Sequence, residues 1–260
     1  MGDDGVRPDD VAALISGRAS RESWPAFVVD GRDWGPVLAQ CVSSELDADR
    51  MDYLLRDSYF AGVPYGRYDL EWLVDHLRAV DQDDRLYLGL ESRAAFTFDD
   101  YLLSRFHMFM SVYLHHTPVG YELMLERYRA DPECDLRIPS DTEAYLMLDD
   151  VSLMHTLRNS PSRWAQRLVM RRAYHRVVES RQLQVELPEE DRPLAPPGAL
   201  TAEAVAAGLA QRGIDTFVHT TVGRLSKYVR RAGEAQSDPT VYVIEAGHAI
   251  PVAEYTPLYR

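Results

Sequence analysis

Apolar residues recur at helical spacing through most of this chain. Leu46, Met51, Leu54, Leu55 and the small Ser58 recur through 44–60. That pattern predicts a helix there, apolar on most sides and therefore buried. Asp69 is placed to cap a second helix running to about Val80, with Leu70, Leu73, Val74 and Leu77 as its buried stripe. Arg85–Leu90 alternates well enough for a strand. Leu102, Phe106, Phe109 and Tyr113 mark a long helix from about Phe98 to His116, broken by Pro118 and resumed from Gly120 to Arg129. Further helices are expected after a capping box at Ser140–Glu143, over 149–157 and over 162–180.

The pattern changes at Leu187–Pro197, which is charged and rich in proline, as linkers are. Beyond it come an alanine-rich helix over 201–212 and three short strand signals at 214–218, 240–244 and 250–253. The expected fold class is mainly α: a helical body over 1–186, a linker over 187–200, and a small α/β C-terminal unit over 201–260.

The first of these helices carries unusual chemistry. Between Asp47 and Asp57 stand four aspartates, two arginines and Tyr53. Asp49, Tyr53 and Asp57 are spaced i, i+4 and i+8, so they share one face. Aligned carboxylates on a buried helix need a partner, because unpaired buried charge costs several kcal/mol, roughly, or more. An arginine, a metal ion or a polar ligand would each serve.

The string Ser43–Phe60, with the turn Gly62-Val63-Pro64-Tyr65-Gly66, resembles the helix that supplies the last metal ligand in HD-domain phosphohydrolases. The resemblance is to the branch containing the deoxynucleoside triphosphate triphosphohydrolases. It resumes at Leu102–Met108 and at Val112–Thr117, and it covers roughly the first two-thirds of the chain. The resemblance implies that Asp49 is a ligand to a divalent metal (Mn, Fe, Ni, Mg or Zn). It also implies that Arg50 and Arg105 contact phosphate oxygens, that Tyr53 and Tyr113 line the sugar pocket, and that Asp57 accepts the sugar 3′-hydroxyl. Leu114 stands where a relative carries a polar residue that helps read the sugar. Each position has a plainer alternative: an ion pair, a solvated charge or a packed aromatic ring.

Family metal sites combine a His, a His-Asp pair and the distant Asp. None of the eight histidines here precedes an Asp, and the residues before Asp49 include no histidine. The chain thus resembles the part of an HD enzyme that follows those ligands. One carboxylate does not hold a catalytic metal, which takes three or four protein ligands. The expectation is a metal-dependent phosphohydrolase portion acting on a nucleotide or other phosphoester. It would be inactive until a His/His-Asp half is supplied in cis or by a second chain. A split gene, a misplaced start and a degenerate, non-catalytic binding or assembly subunit all fit this pattern. Homo- or hetero-oligomer formation is expected on the same ground.

His107, His115 and His116 receive no metal role, since adjacent rings on a helix point about 100° apart. Arg158, Arg163, Arg167, Arg171, Arg172 and Arg176 form a basic cluster that fits a nucleotide or effector site, a solvated helix face or a subunit contact.

Net charge changes the picture modestly. At −13 it argues against non-specific nucleic-acid binding, while a local arginine cluster still suits a nucleotide. The two cysteines, Cys41 and Cys134, match no metal spacing and fit reduced thiols in a cytoplasmic protein, with Cys41 expected in the core. No apolar run approaches the ~18 residues that span a bilayer.

Overall fold

In the computed structural model the described residues are 7–16, 27–179, 201–220 and 241–256. The linker expected at 187–200 lies outside them. The chain divides by packing into two compact units, 1–113 with 223–260, and 114–222. The fold is mainly α with a small mixed sheet, as the hydrophobic pattern predicts.

The described helices of the first unit are α1 (Pro8–Ser16), α2 (Gly35–Val42), α3 (Ala48–Ala61), α4 (Leu70–Asp75), α5 (Ala95–Met108) and α11 (Val252–Tyr255). Its strands are β1 (Val28–Val29), β2 (Arg32–Asp33), β3 (Leu77–Gln82), β4 (Arg85–Glu91), β5 (Tyr242–Glu245) and β6 (His248–Pro251). β4 is the hub of the sheet. It pairs antiparallel with β3, and parallel with β5 and with Asp33 of β2. The two tail strands therefore build the same sheet as residues 77–91. Packing does not divide the chain at the Pro-rich segment, as 1–186 and 201–260 would have it. Backbone pairing decides this, because Val241 and Val243 are fully buried against the core only when β5 lies beside β4.

Each hairpin closes through two residues in the left-handed region: Asp30-Gly31, Asp83-Asp84 and Ala246-Gly247. Two positive φ values in a two-residue loop match the right-handed twist of the flanking strands. The Asp83-Asp84 turn explains why the helix expected to reach Val80 stops at Asp75. Leu77–Gln82 gains a full antiparallel ladder with Arg85–Leu90, and Val80 faces the core in that register.

The core joins Leu46 and Leu54 to Leu73, Leu88, Leu90, Phe98, Tyr101, Leu102 and Met108. Gln40 secures α2 to the sheet, its fully buried side-chain oxygen accepting from Leu88 N at 2.7 Å. α3 begins at Asp47, later than the hydrophobic pattern suggests, and only Leu54 and Ser58 along it are buried. The helix is thus half-exposed rather than apolar on most sides. It ends at Gly62, with φ 69°, a backbone conformation that is sterically cheap for glycine. Ser58 then donates to Val63 O at 2.6 Å and accepts from Gly66 N at 3.3 Å, folding the following turn back onto the helix.

The second unit contains α6 (His116–Arg129), α7 (Thr142–Leu146), α8 (Asp150–Asn159), α9 (Arg163–Val169) and α10 (Ala202–Ala210). Its core is Met124, Tyr128, Cys134, Leu157, Trp164 and Ala165. Pro118 sits in the first turn of α6, where a missing N–H is harmless. Asp141, not Ser140, caps α7, and the capping box of this region is Asp149 with Ser152 at the start of α8. The helix expected over 162–180 stops at Val169, and Arg171 adopts φ 52°. Residues 214–218 form no strand. Cys41 is exposed while Cys134 is buried, so the expected core placement of Cys41 is corrected. No helix among the described residues is long and apolar enough to cross a membrane.

A Cβ on Gly66 would collide with the Leu54 carbonyl oxygen and reach Ser58 Cβ at 2.8 Å. Gly66→Ala should therefore destabilise the first unit by about 1–3 kcal/mol, read as a lower urea midpoint with an unchanged denaturant slope.

Candidate functional site

The site is built where α3 faces α5 within the first unit. Asp47 sets the start of α3. Its carboxylate accepts from Arg50 N at 2.8 Å and from Ser44 N at 3.1 Å, satisfying donors that a helix start leaves open. It also pairs with the Arg50 guanidinium at 3.4 Å. Arg50 donates to the Ser44 carbonyl as well, so its side chain lies back along the loop before the helix.

Arg105 comes from the last turn of α5 and pairs with Glu45, whose side chain is fully buried. Two further contacts hold this pair. Tyr101, one turn earlier on α5, donates its hydroxyl to the Glu45 carbonyl at 2.7 Å. Arg105 also rests over the Phe109 ring, 5.4 Å from its centroid. Arg105 Nε is buried without a hydrogen-bond partner among the described residues.

The aromatic part of the site follows from the turn after α5. Phe109–Tyr113 forms a π turn, a wide turn often found at functional positions. It points Tyr113 toward α3, where its hydroxyl donates to Asp57 at 2.7 Å. Tyr53 meets Tyr113 edge to face, ring centroids 6.1 Å apart. Tyr53, Asp57, Arg105 and Tyr113 are thus brought into one cluster, with Arg50 close enough to Tyr53 to act on its hydroxyl. Asp49 is exposed near the start of the same helix. Asp57 has no ion pair with a distant arginine among the described residues and instead accepts from the Tyr113 hydroxyl. Arg105, expected as a phosphate contact or a surface ion pair, sits in a buried one.

Burial raises the pKa of the Tyr53 hydroxyl, against the opposing pull of Arg105 and Arg50. Burial, then the hydrogen bond to Asp57, raises that of Tyr113 further. Tyr68 and Tyr101, packed ring to ring on the core side, are raised by burial too.

The resemblance to HD enzymes implies a divalent metal, and the residues present do not by themselves fit one. Asp49 is a lone exposed carboxylate, and no three His, Cys, Asp or Glu side chains gather around a metal-sized space among the described residues. The nearby acids Glu45 and Asp47 are committed to arginines and backbone donors.

Sequence patterns pointed to Asp49, Tyr53 and Asp57 by helical spacing, and missed Glu45 and Asp47. Both lie at the edge of the helix, where periodicity carries no information. Asp47 was legible in principle as an acidic N-cap. Nothing local in the sequence marks Glu45 as the buried partner of Arg105.

The described residues of the first unit thus form a helical body carrying a small mixed sheet, with a polar seam between α3 and α5. The family described as HD associated region matches residues 68–197, half of the chain, and the chain belongs to it. Uncharacterized protein MJ1154 of Methanocaldococcus jannaschii is 28% identical over 137 residues, 53% of this chain and 30% of that protein. Uncharacterized protein YwfO of Bacillus subtilis is 37% identical over 86 residues, 33% of this chain and 19% of that protein. Among solved structures, a hypothetical protein from Aquifex aeolicus aligns with a TM-score of 0.62 at 17% identity, over 96% of this chain and 57% of that one. A phosphohydrolase from Bacteroides thetaiotaomicron aligns with a TM-score of 0.54 at 22% identity, over 90% and 61%. These structural likenesses establish the fold. The chain spans less than a third of these two curated relatives and about three-fifths of the two solved chains.

Two outcomes test the site's energetics. Glu45→Ala strands the Arg105 charge and should cost about 3–5 kcal/mol in denaturant unfolding. A raised tyrosine pKa contributes stability that is fully present below the unfolded value near 10 and lost as pH rises through the folded value. The urea midpoint should therefore fall as pH rises above about 10, less steeply in Tyr113→Phe.

Proposed function

We propose that this chain is the substrate-cradling portion of an HD-family, metal-dependent phosphohydrolase acting on a nucleoside triphosphate or a close phosphoester relative. The observation that carries this reading is the cluster of Tyr53, Asp57, Arg105 and Tyr113 on facing elements, with Arg50 beside it. Asp57 and the two tyrosines offer a hydroxyl-reading edge beside aromatic walls, which suits a sugar. Arg50 and Arg105 offer cations, and guanidinium groups bind phosphate oxygens bidentately. The buried, unsatisfied Nε of Arg105 supports a role for this residue toward an anion.

In this reading Asp57 exchanges the Tyr113 hydroxyl for a substrate hydroxyl, and Tyr113 then closes the sugar pocket. Arg50 and Arg105 offset charge on the phosphates, each tuned by the carboxylate it already holds. Asp49 is one of the metal ligands, and the histidines and His-Asp pair come from sequence other than these 260 residues. Without them the chain binds no catalytic metal and does not turn over.

A second reading, a non-catalytic binding or assembly subunit, is favoured by a different observation. Both site arginines are already neutralised by Glu45 and Asp47, and Tyr59 and Phe60 at the end of α3 are about three-quarters exposed or more.

The chain alone, given Mn2+ and nucleoside triphosphates, should release no phosphate or triphosphate above background. Supplying the His and His-Asp segment, fused or as a second chain, should produce turnover that Asp49→Ala abolishes. Asp57→Asn should weaken nucleotide binding about 10–100-fold. Robust turnover by the isolated chain contradicts the ligand argument. Turnover absent from the completed pair, with nucleotide binding also absent, favours the assembly subunit.

A further inference from the structure

The second unit holds an open groove of about 660 Å3 between the end of α8, α9 and the segment that follows. Its floor is Leu157, Trp164 and Val169, and four arginines line it: Arg158, Arg163, Arg167 and Arg172. These residues come from two helices and from the extended segment beyond Met170. The early end of α9, which overturned the expected continuous helix, is what brings Arg172 round to the groove. Arg171, turned by its positive φ, and Arg176, paired with Glu179, are not among its lining.

Charge is out of balance here. The single lining carboxylate, Asp215, is shared by Arg127 at 3.4 Å, Arg163 at 3.7 Å and the Tyr174 hydroxyl at 3.0 Å. Arg158, Arg167 and Arg172 have no ion pair among the described residues, and Arg167 Nε is buried without a hydrogen-bond partner. In a protein of net charge −13, a concave site with several uncompensated guanidinium groups focuses a local positive field.

The aromatic rings narrow the ligand class. Arg163 and Arg127 lie over the Trp164 ring, 4.6 and 5.2 Å from its centroid, and Arg167 lies 4.7 Å from that of Tyr174. These contacts hold the guanidinium groups in place. Trp164 is itself buried and Tyr174 packs against Trp164 and Phe217, which leaves little ring face on which a nucleobase would stack. What remains is a set of four forked donors around the groove, two of them, Arg163 and Arg167, held against rings. One carboxylate ligand satisfies one such fork. A chain of linked phosphates carries several charges within a few ångströms and satisfies several at once.

We infer that this groove is a binding site for a condensed phosphate group, a di- or triphosphate recognised through its phosphates rather than through a base. The site lies wholly within the second unit and does not rest on the hydrolase reading. Its ligand is either free inorganic polyphosphate or the phosphate tail of a nucleotide, and the two sources share the same contacts.

Titration calorimetry on the full chain, in low salt with EDTA, distinguishes the outcomes. Inorganic tripolyphosphate and ATP should bind saturably and within about threefold of each other, as ligands read through the same phosphates. Orthophosphate should bind at least about tenfold more weakly, and added salt should weaken all three. Arg158→Gln/Arg172→Gln, at two exposed positions, should weaken tripolyphosphate about tenfold or more, while Arg32→Gln, an exposed arginine of the first unit outside both sites, leaves it unchanged. Either single groove variant gives the same reading if the double variant does not fold. Absence of saturable binding overturns the proposal. So does wild-type tripolyphosphate affinity in the groove variants, or ATP binding that is more than about tenfold tighter than tripolyphosphate and is lost in those variants, which would mean a base-directed groove.

Discussion

The first unit is organised around one buried ion pair, Glu45 with Arg105. A fully buried carboxylate is tolerable only with its partner and hydrogen bonds in place. The partner comes sixty positions later, from the end of α5, so the pair ties the loop before α3 to the far end of α5. Tyr101 reinforces the tie by holding the Glu45 carbonyl. Asp47, two residues on, starts α3 and restrains Arg50. With both ends set in this way, the face bearing Tyr53 and Asp57 is turned toward the π turn that carries Tyr113.

This arrangement gives the site a double character. The same arginines that suit phosphate are held by carboxylates in this state, and the same aspartate that suits a sugar hydroxyl is held by a tyrosine. A pocket whose polar groups satisfy one another without ligand avoids the cost of unpaired buried charge. It also demands a ligand able to replace those contacts. Under the proposed function a nucleotide would bring both the charge and the hydroxyl to do so.

The second unit meets a similar problem by another route. Arg163 lies over Trp164 and also pairs with Asp215, Arg167 lies over Tyr174 with no ion pair among the described residues, and Arg158 and Arg172 line the groove likewise without one. Ring contacts orient a guanidinium without neutralising it. Two arginine-bearing surfaces of different construction thus occur in one acidic chain: Arg50 and Arg105 are paired with acids, while Arg158, Arg167 and Arg172 have no ion pair among the described residues.

Much of this was written locally. The helical body, the strand at 85–91, the stop at Gly62 and the shared face of Asp49, Tyr53 and Asp57 follow from periodicity, capping and glycine geometry, all of which act within a few residues. Tertiary structure decided the remainder, because its causes lie far apart in sequence. Leu77–Gln82 reads as the end of a helix until β4 offers it a ladder. Residues 242–251 read as part of a separate tail unit until β5 pairs with β4. Neither Glu45 nor Arg105 announces the other across the intervening chain, and the Arg158–Arg172 groove exists only because α9 ends early. Local spacing fixes which side chains share a face. Which distant charges, strands and rings meet is set by long-range burial and pairing, and that required the folded chain.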